Sequence, residues 1–228
     1  MYWNSIKNEL GRFCAEQVPN NSTIGLGSGT TSEAFIRALG ERNLKETLCI
    51  SCIASSNNSE RIAREFNLPI IDQAQWKGAI SIMFDGADAI DTDGNAIKGA
   101  GGALVREKIL IHSAQKVVIM VDERKWCLPW KSSLLPVAIV PFGAQATMKA
   151  LSFLKCKGTL RMKNASPFLT DDGLWIIDLS LEEISSSPEE LDVMLKAVPG
   201  VVETGIFLGI ASSIVIGYQN GKIEQRIK

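Results

Sequence analysis

Thr23-Ile24-Gly25-Leu26-Gly27-Ser28-Gly29-Thr30-Thr31-Ser32 is the stretch on which the fold turns. The apolar run 23–26 reads as a strand, the glycines as a tight turn, and the residues beyond as the start of a helix over 32–39. Thr30 is placed to act as N-cap, with Glu33 three residues on, the capping-box spacing. Before this unit, Ile6, Leu10, Phe13 and Cys14 share one face of a helix over 5–17. After it come a strand at 48–53, a helix at 60–66 and strands at 69–71 and 79–84. A helix at 103–114 and a strand at 116–122 complete the series. Strands alternating with helices, the strands continuously apolar, indicate a Rossmann-like α/β layer: a mostly parallel sheet with helices on both faces.

The rhythm changes after Trp130. Strand 137–142, helix 144–154, strands 159–163 and 174–179, helix 188–197 and strand 201–205 follow in order. This β-α-β-β-α-β series is the split βαβ, ferredoxin-like pattern. The apolar run 212–218 lies beyond it and is placed to rejoin the first sheet. Residues 1–130 and 206–228 are therefore expected to form the Rossmann-like domain, and 131–205 an inserted ferredoxin-like α+β domain.

Composition narrows the chemistry. The 228 residues are 46% hydrophobic, enough for a packed core, and 24 basic against 25 acidic side chains give a net charge of −1. No broad basic field exists for nonspecific nucleic-acid binding. His112 is the single histidine, which excludes HExxH and His-rich zinc sites. It is read as a packing or surface residue. Five scattered cysteines suit reduced thiols in the cytoplasm better than a disulfide framework. Cys49 and Cys52 have CxxC spacing but sit in the apolar run LCISCIA, and are read as two core strand cysteines. The apolar stretch 205–217 falls short of the ~20 residues that span a bilayer. With no signal-peptide-like hydrophobic region at the N-terminus, a soluble, cytoplasmic protein is expected.

Eight of the 19 glycines lie in two windows, 25–29 and 86–102. In the first, free N–H groups at a helix start and the hydroxyls of Ser28, Thr30 and Thr31 favour an anion, most naturally a phosphate. Thr30 stands where the dinucleotide fingerprint needs its third glycine, and no GK[ST] follows. The second window holds Asp85-Gly86-Ala87-Asp88-Ala89-Ile90-Asp91 and Lys98-Gly99-Ala100-Gly101-Gly102. Asp85 ends a strand, at the carboxyl edge where such sheets bind ligands. An Asx turn and a Mg²⁺ site built on the three aspartates are the alternatives, the latter weakened by the competing ammonium of Lys98. Glu107 has Ala103, Leu104, Leu110 and Ile111 as its helical neighbours. On that face a carboxylate is desolvated, which raises its pKa toward the range of a general base. The alternative is an ion pair with Arg106 or Lys108. Lys125, after the strand at 116–122, suits a phosphate contact or a solvated charge run.

These windows, in this order, resemble the ribose-5-phosphate isomerase A family along essentially the whole chain. GLGSGTT is similar to its phosphate or sugar loop, DGADAID to its aspartate motif, and IKGAGGALVREKI to its lysine-glycine-glutamate motif. VDERK is similar to the element holding a substrate-binding lysine, and FLTDDGLWIIDL and PGVVETGIF match later segments. The resemblance implies an aldose–ketose isomerase of the pentose phosphate pathway, interconverting D-ribose 5-phosphate and D-ribulose 5-phosphate without metal or organic cofactor. It implies Glu107 as acid/base, and Asp85, Asp88 and Lys98 on the sugar hydroxyls and carbonyl. The backbone of Gly86, Ala87, Gly99, Ala100 and Gly101 would line the pocket. Ser28, Gly29, Thr30, Thr31 and Lys125 would hold substrate, with Lys7 a further contact. A small sugar phosphate is the implied partner, with neither nucleic acid nor membrane, in a homodimer or homotetramer. Two positions depart from the family pattern. Ala89 stands where a glutamate is common, and Ala100 replaces a glycine, which the turn tolerates if φ there is negative. A sugar-phosphate sensor on the same scaffold is the competing reading; it would have no need of Glu107 beside Lys98. A related deaminase or acyl-CoA transferase is disfavoured by the single histidine and short chain.

Overall fold

A computed structural model describes residues 2–228. The chain divides into two compact units. One comprises residues up to Ala87, Arg106–Trp126 and Ile210–Lys228; the other comprises Asp88–Val105 and Cys127–Gly209. Residues 88–105, read from sequence as part of the first domain, group with the second unit. Their short strands β4 (Ala89–Ile90) and β5 (Ala96–Ile97) pair with each other, and β5 pairs with β13 (Ile206–Phe207).

The first unit is built on a six-stranded sheet. Its strands are β1 (Ser22–Leu26), β2 (Ile50–Ala54), β3 (Ile82–Gly86), β6 (Val117–Asp122), β14 (Ser213–Gly217) and β15 (Ile223–Ile227). Across the sheet the order is β2-β1-β3-β6-β14-β15, parallel throughout except for the antiparallel β14–β15 pair. The chain reverses its winding direction between β1 and β3, the switch point at which doubly wound sheets leave a crevice beyond their strand ends. Helices α1 (Tyr2–Glu16), α2 (Gly29–Glu46) and α3 (Asn57–Glu65) contribute Leu10, Phe35, Leu39 and Ile62 to a core shared with Ile24, Leu26, Phe84 and Met120.

Several sequence expectations change here. Helix α2 begins at the glycine turn itself, with Ser28 rather than Thr30 as N-cap, and runs on past Leu39 to Glu46. Gly40 does not end it, because at that point Phe66 packs directly on the helix backbone. The expected strand at 69–71 is a single bridge, Ile70 to Cys52. Strand β15 had no alternating or apolar signal, as its sequence, IEQRI, is largely polar. Of the CxxC pair, Cys52 is a buried strand residue, whereas Cys49 precedes the strand and is exposed. His112 lies on the surface. Among the described residues no helix is long and apolar enough to cross a membrane.

The second unit carries a four-stranded sheet of β7 (Leu135–Ile139), β8 (Gly158–Leu160), β11 (Trp175–Leu179) and β12 (Val201–Thr204). Its order is β12-β7-β11-β8, with every pair antiparallel. With α5 (Ala144–Phe153) after the first strand and α6 (Pro188–Lys196) after the third, this is the ferredoxin-like arrangement expected. A capping box of Ser187 and Glu190, with Pro188 at the first turn, fixes where α6 starts. Between β8 and β11 the chain makes a small ribbon, β9 (Met162–Lys163) with β10 (Ser166–Pro167).

Candidate active site

In the first unit the site is organised around Asp85, which is fully buried at the end of β3. Its Oδ1 accepts hydrogen bonds from the Ser28 N–H (3.0 Å), the Ser32 hydroxyl (3.1 Å) and the Gly86 N–H (2.7 Å). Two of those donors belong to the start of α2. The Ser28 N–H of the first glycine window is thus taken by a side chain of the protein itself. A side chain on Gly27 would put its Cβ 2.0 Å from Asp85 Oδ1. Gly27 is therefore required by the aspartate, while Gly29, at φ +84° and facing open space, is required by the turn. The Ser59 hydroxyl donates to Gly27 O (2.7 Å), and the Ser28 and Ser55 hydroxyls lie 2.7 Å apart. Lys7 donates to the Thr30 hydroxyl (2.8 Å), and Thr31 is buried.

Lys125 joins the same group. It stands on a single 3-10 turn, Glu123–Lys125, is half-buried, and its Nζ donates to Ala87 O at 2.7 Å. Asp122 caps that turn, taking the Arg124 N–H (3.2 Å) and both arms of its guanidinium (2.9 Å each). The guanidinium also lies over the Trp3 ring, 3.7 Å from its centroid. Burial alone lifts the Asp122 carboxyl, but the Arg124 hydrogen bonds and charge, with Lys125 adding to them, outweigh it and hold the group below its ordinary range.

Glu107 stands in the first turn of α4 (Leu104–His112), where a negative charge complements the helix dipole. It is only 4% exposed, and Leu104, Leu110 and Ile111 around it are buried. Arg106 donates to Asn57 Oδ1 at 3.0 Å.

In the second unit Lys98 is 2% exposed, with its ammonium 5.7 Å from the Phe207 ring centroid and its N–H on Gly205 O (3.0 Å). The turn beyond it closes through Gly102 N–H to Gly99 O (2.9 Å), with Gly99 and Gly102 both at positive φ. Ala100 is not among the positive-φ residues, so its methyl group is accommodated. Asp88 Oδ2 accepts the Ala100 N–H at 2.9 Å. Asp91 accepts instead from Asp93 N, Asn95 N and the Asn95 amide, an Asx-type turn between β4 and β5. Among the described residues no group of three His, Cys, Asp or Glu side chains is placed to hold a metal ion. Ala89 packs in an apolar cluster with Ile97 and Ile206, where a carboxylate would be costly.

Three residues that sequence reasoning missed secure the same turn. Arg161, between β8 and β9, donates from Nη1 to Gly99 O (3.0 Å) and Ala100 O (2.9 Å). Its Nε donates to Asp178 Oδ2 (2.8 Å), and its Nη2 pairs with the other oxygen. Phe168 lies against Gly102, within 2.4 Å of where a Cβ would be. No local signal marks Arg161, because its partnership with Asp178 depends on the register of β8 and β11.

A sequence model of the family described as Ribose 5-phosphate isomerase A (phosphoriboisomerase A) matches residues 51–221. The Ribose-5-phosphate isomerase A 1 of Oceanobacillus iheyensis is 37% identical, over 94% of this chain and 95% of its own. Among solved structures, the ribose 5-phosphate isomerase from Plasmodium falciparum superposes with a TM-score of 0.93 at 30% identity, covering 99% of each chain. A D-ribose-5-phosphate isomerase in complex with phospho-erythronic acid gives 0.91 at 32% identity, covering 98% of each. The chain belongs to the ribose 5-phosphate isomerase A family.

Proposed function

We propose that this protein interconverts D-ribose 5-phosphate and D-ribulose 5-phosphate by proton transfer through an enediolate. Membership of the family, and the name its relatives carry, support the reaction. The observation that carries the mechanism is the burial of Glu107 on an otherwise apolar helix face. A base must take the proton from C2 of the open-chain aldose and return it at C1. One carboxylate within reach of both carbons serves both transfers, and exchange of its proton with solvent during the enediolate's lifetime labels the product. As the C2–H bond breaks, its electrons form the C1–C2 double bond and the aldehyde oxygen becomes negative. That oxygen is protonated, the C2 hydroxyl loses its proton, and the proton held by Glu107 goes to C1. Atoms and charge balance without a redox partner.

In this reading Lys98 and the N–H groups of the 99–101 turn stabilise the developing oxyanion. Asp85 and Asp88 hold the sugar hydroxyls and assist ring opening, beside the backbone of Gly86 and Ala87. Ser28, Gly29, Thr30, Thr31 and Lys125 bind the remainder of the substrate, and Lys7 aids through Thr30. The solved relative in complex with phospho-erythronic acid, a phosphorylated sugar acid, is consistent with such donors. We also infer a homodimer or homotetramer working in the cytoplasm. The test is turnover of ribose 5-phosphate in D₂O. Deuterium in the ketose at C1 is expected; a ketose formed without deuterium points to a hydride shift, and no ketose at all ends the isomerase reading.

A further inference from the structure

A trans peptide points its C=O and N–H in opposite directions, and the turn after Lys98 uses this. The Gly99 carbonyl faces Arg161, and the N–H of the same peptide unit, that of Ala100, faces Asp88. The Ala100 carbonyl also faces Arg161, so the Gly101 N–H points away from it. Gly101 is exposed, and nothing lies within 4 Å of where its side chain would be. The orientation of this exposed donor is thus set by what grips the carbonyls behind it. Arg161 has the geometry for that grip, because Asp178 takes Nε and Nη2 and locks the plane, leaving Nη1 aimed at both carbonyls. The cluster lies within one unit, and its backbone frame is the pairing of Arg161 N–H with Ile176 O (2.8 Å).

We propose that Arg161 is a positioning residue for the isomerisation. By holding the carbonyls of Gly99 and Ala100 it fixes the turn so that the Gly101 N–H and the Lys98 ammonium are presented together to the developing enediolate. The role rests on the isomerase reading above. It acts in the transition state more than in substrate binding, so its loss falls on kcat.

The full-length protein and its Arg161→Ala and Arg161→Lys variants are assayed with ribose 5-phosphate well below their melting temperatures. Arg161→Ala is expected to lower kcat about 100-fold with a much smaller change in KM, the scale of a misplaced catalytic group. Lysine has the charge but not the fork, so Arg161→Lys stays near the alanine variant. Added guanidinium ion at millimolar levels restores kcat in Arg161→Ala and leaves the wild type unchanged, which a general loss of stability would not produce. If Arg161→Ala does not fold, Asp178→Asn, which loosens the fork, carries the test: a fall confined to kcat is expected, and an unchanged kcat overturns the role. A kcat near the wild-type value in Arg161→Ala, or a loss that guanidinium does not relieve, also overturns it. An inactive wild type ends the isomerase reading and this role with it, whereas an active wild type beside an active Arg161→Ala ends the positioning role alone.

Discussion

Gly27 shows how one missing methyl group can determine the place of a carboxylate. With its Cβ position 2.0 Å from Asp85 Oδ1, any side chain there must push the aspartate from its three donors. Gly27→Ala is expected to lower kcat/KM about 100-fold through that displacement, and a variant with wild-type turnover would show that Asp85 needs no fixed place. Glu107→Gln keeps the shape and removes the proposed base; a loss of about 10²–10⁴-fold in kcat with intact substrate binding is expected, measured by the coupled assay and by isothermal titration. Asp85, Lys98 and Glu107 were legible in sequence because each sits at a strand end, a glycine turn or an apolar helix face. Arg161 was not, since a cation near the end of a short strand looks like any exposed charge until Asp178 is known to stand across from it. The first glycine turn was half legible. It is read as an anion site, and in the structure the side chain of Asp85, 57 residues further along the chain, takes its Ser28 N–H.

At the scale of elements, α2 marks the limit of local rules. Glycine ordinarily weakens a helix, and replacing Gly40 by alanine in isolation gains about 1 kcal/mol. Here the new Cβ meets the Phe66 Cβ at 2.3 Å, which is not the yielding end of a flexible side chain. Overpacking costs about 1–3 kcal/mol, so Gly40→Ala is expected to destabilise the protein, as a lower urea midpoint with unchanged slope would report. A raised midpoint would mean that α2 and α3 separate easily. The polar strand β15 escaped notice for a related reason: its place follows from the open edge of β14, not from any pattern of its own. Strands buried on both faces were easy to find, and β6 is the clearest of them.

For the whole molecule, the cysteines give a measure of how tightly the two cores exclude solvent. Burial pushes the Cys14 and Cys52 thiols up from 9.0 to about 12 and raises that of Cys156. In the unfolded chain these thiols ionise near their ordinary pKa. The stability they contribute is therefore whole below pH 9 and is lost as the pH climbs toward 12. The urea midpoint should fall more steeply above pH 9 in the wild type than in a Cys14→Ala, Cys52→Ala variant. Under native conditions a thiol reagent should label Cys49 and Cys127 at once and the three buried cysteines only on unfolding; rapid labelling of a third would contradict the tight cores. The order of strands in the first sheet has a further consequence, for synthesis. Strand β6 is buried along its whole length, yet its neighbour β14 is translated only after all of 127–209. While the ribosome makes that stretch, the nascent sheet carries an uncovered apolar edge, the kind of surface that chaperones bind and that aggregates when they are scarce.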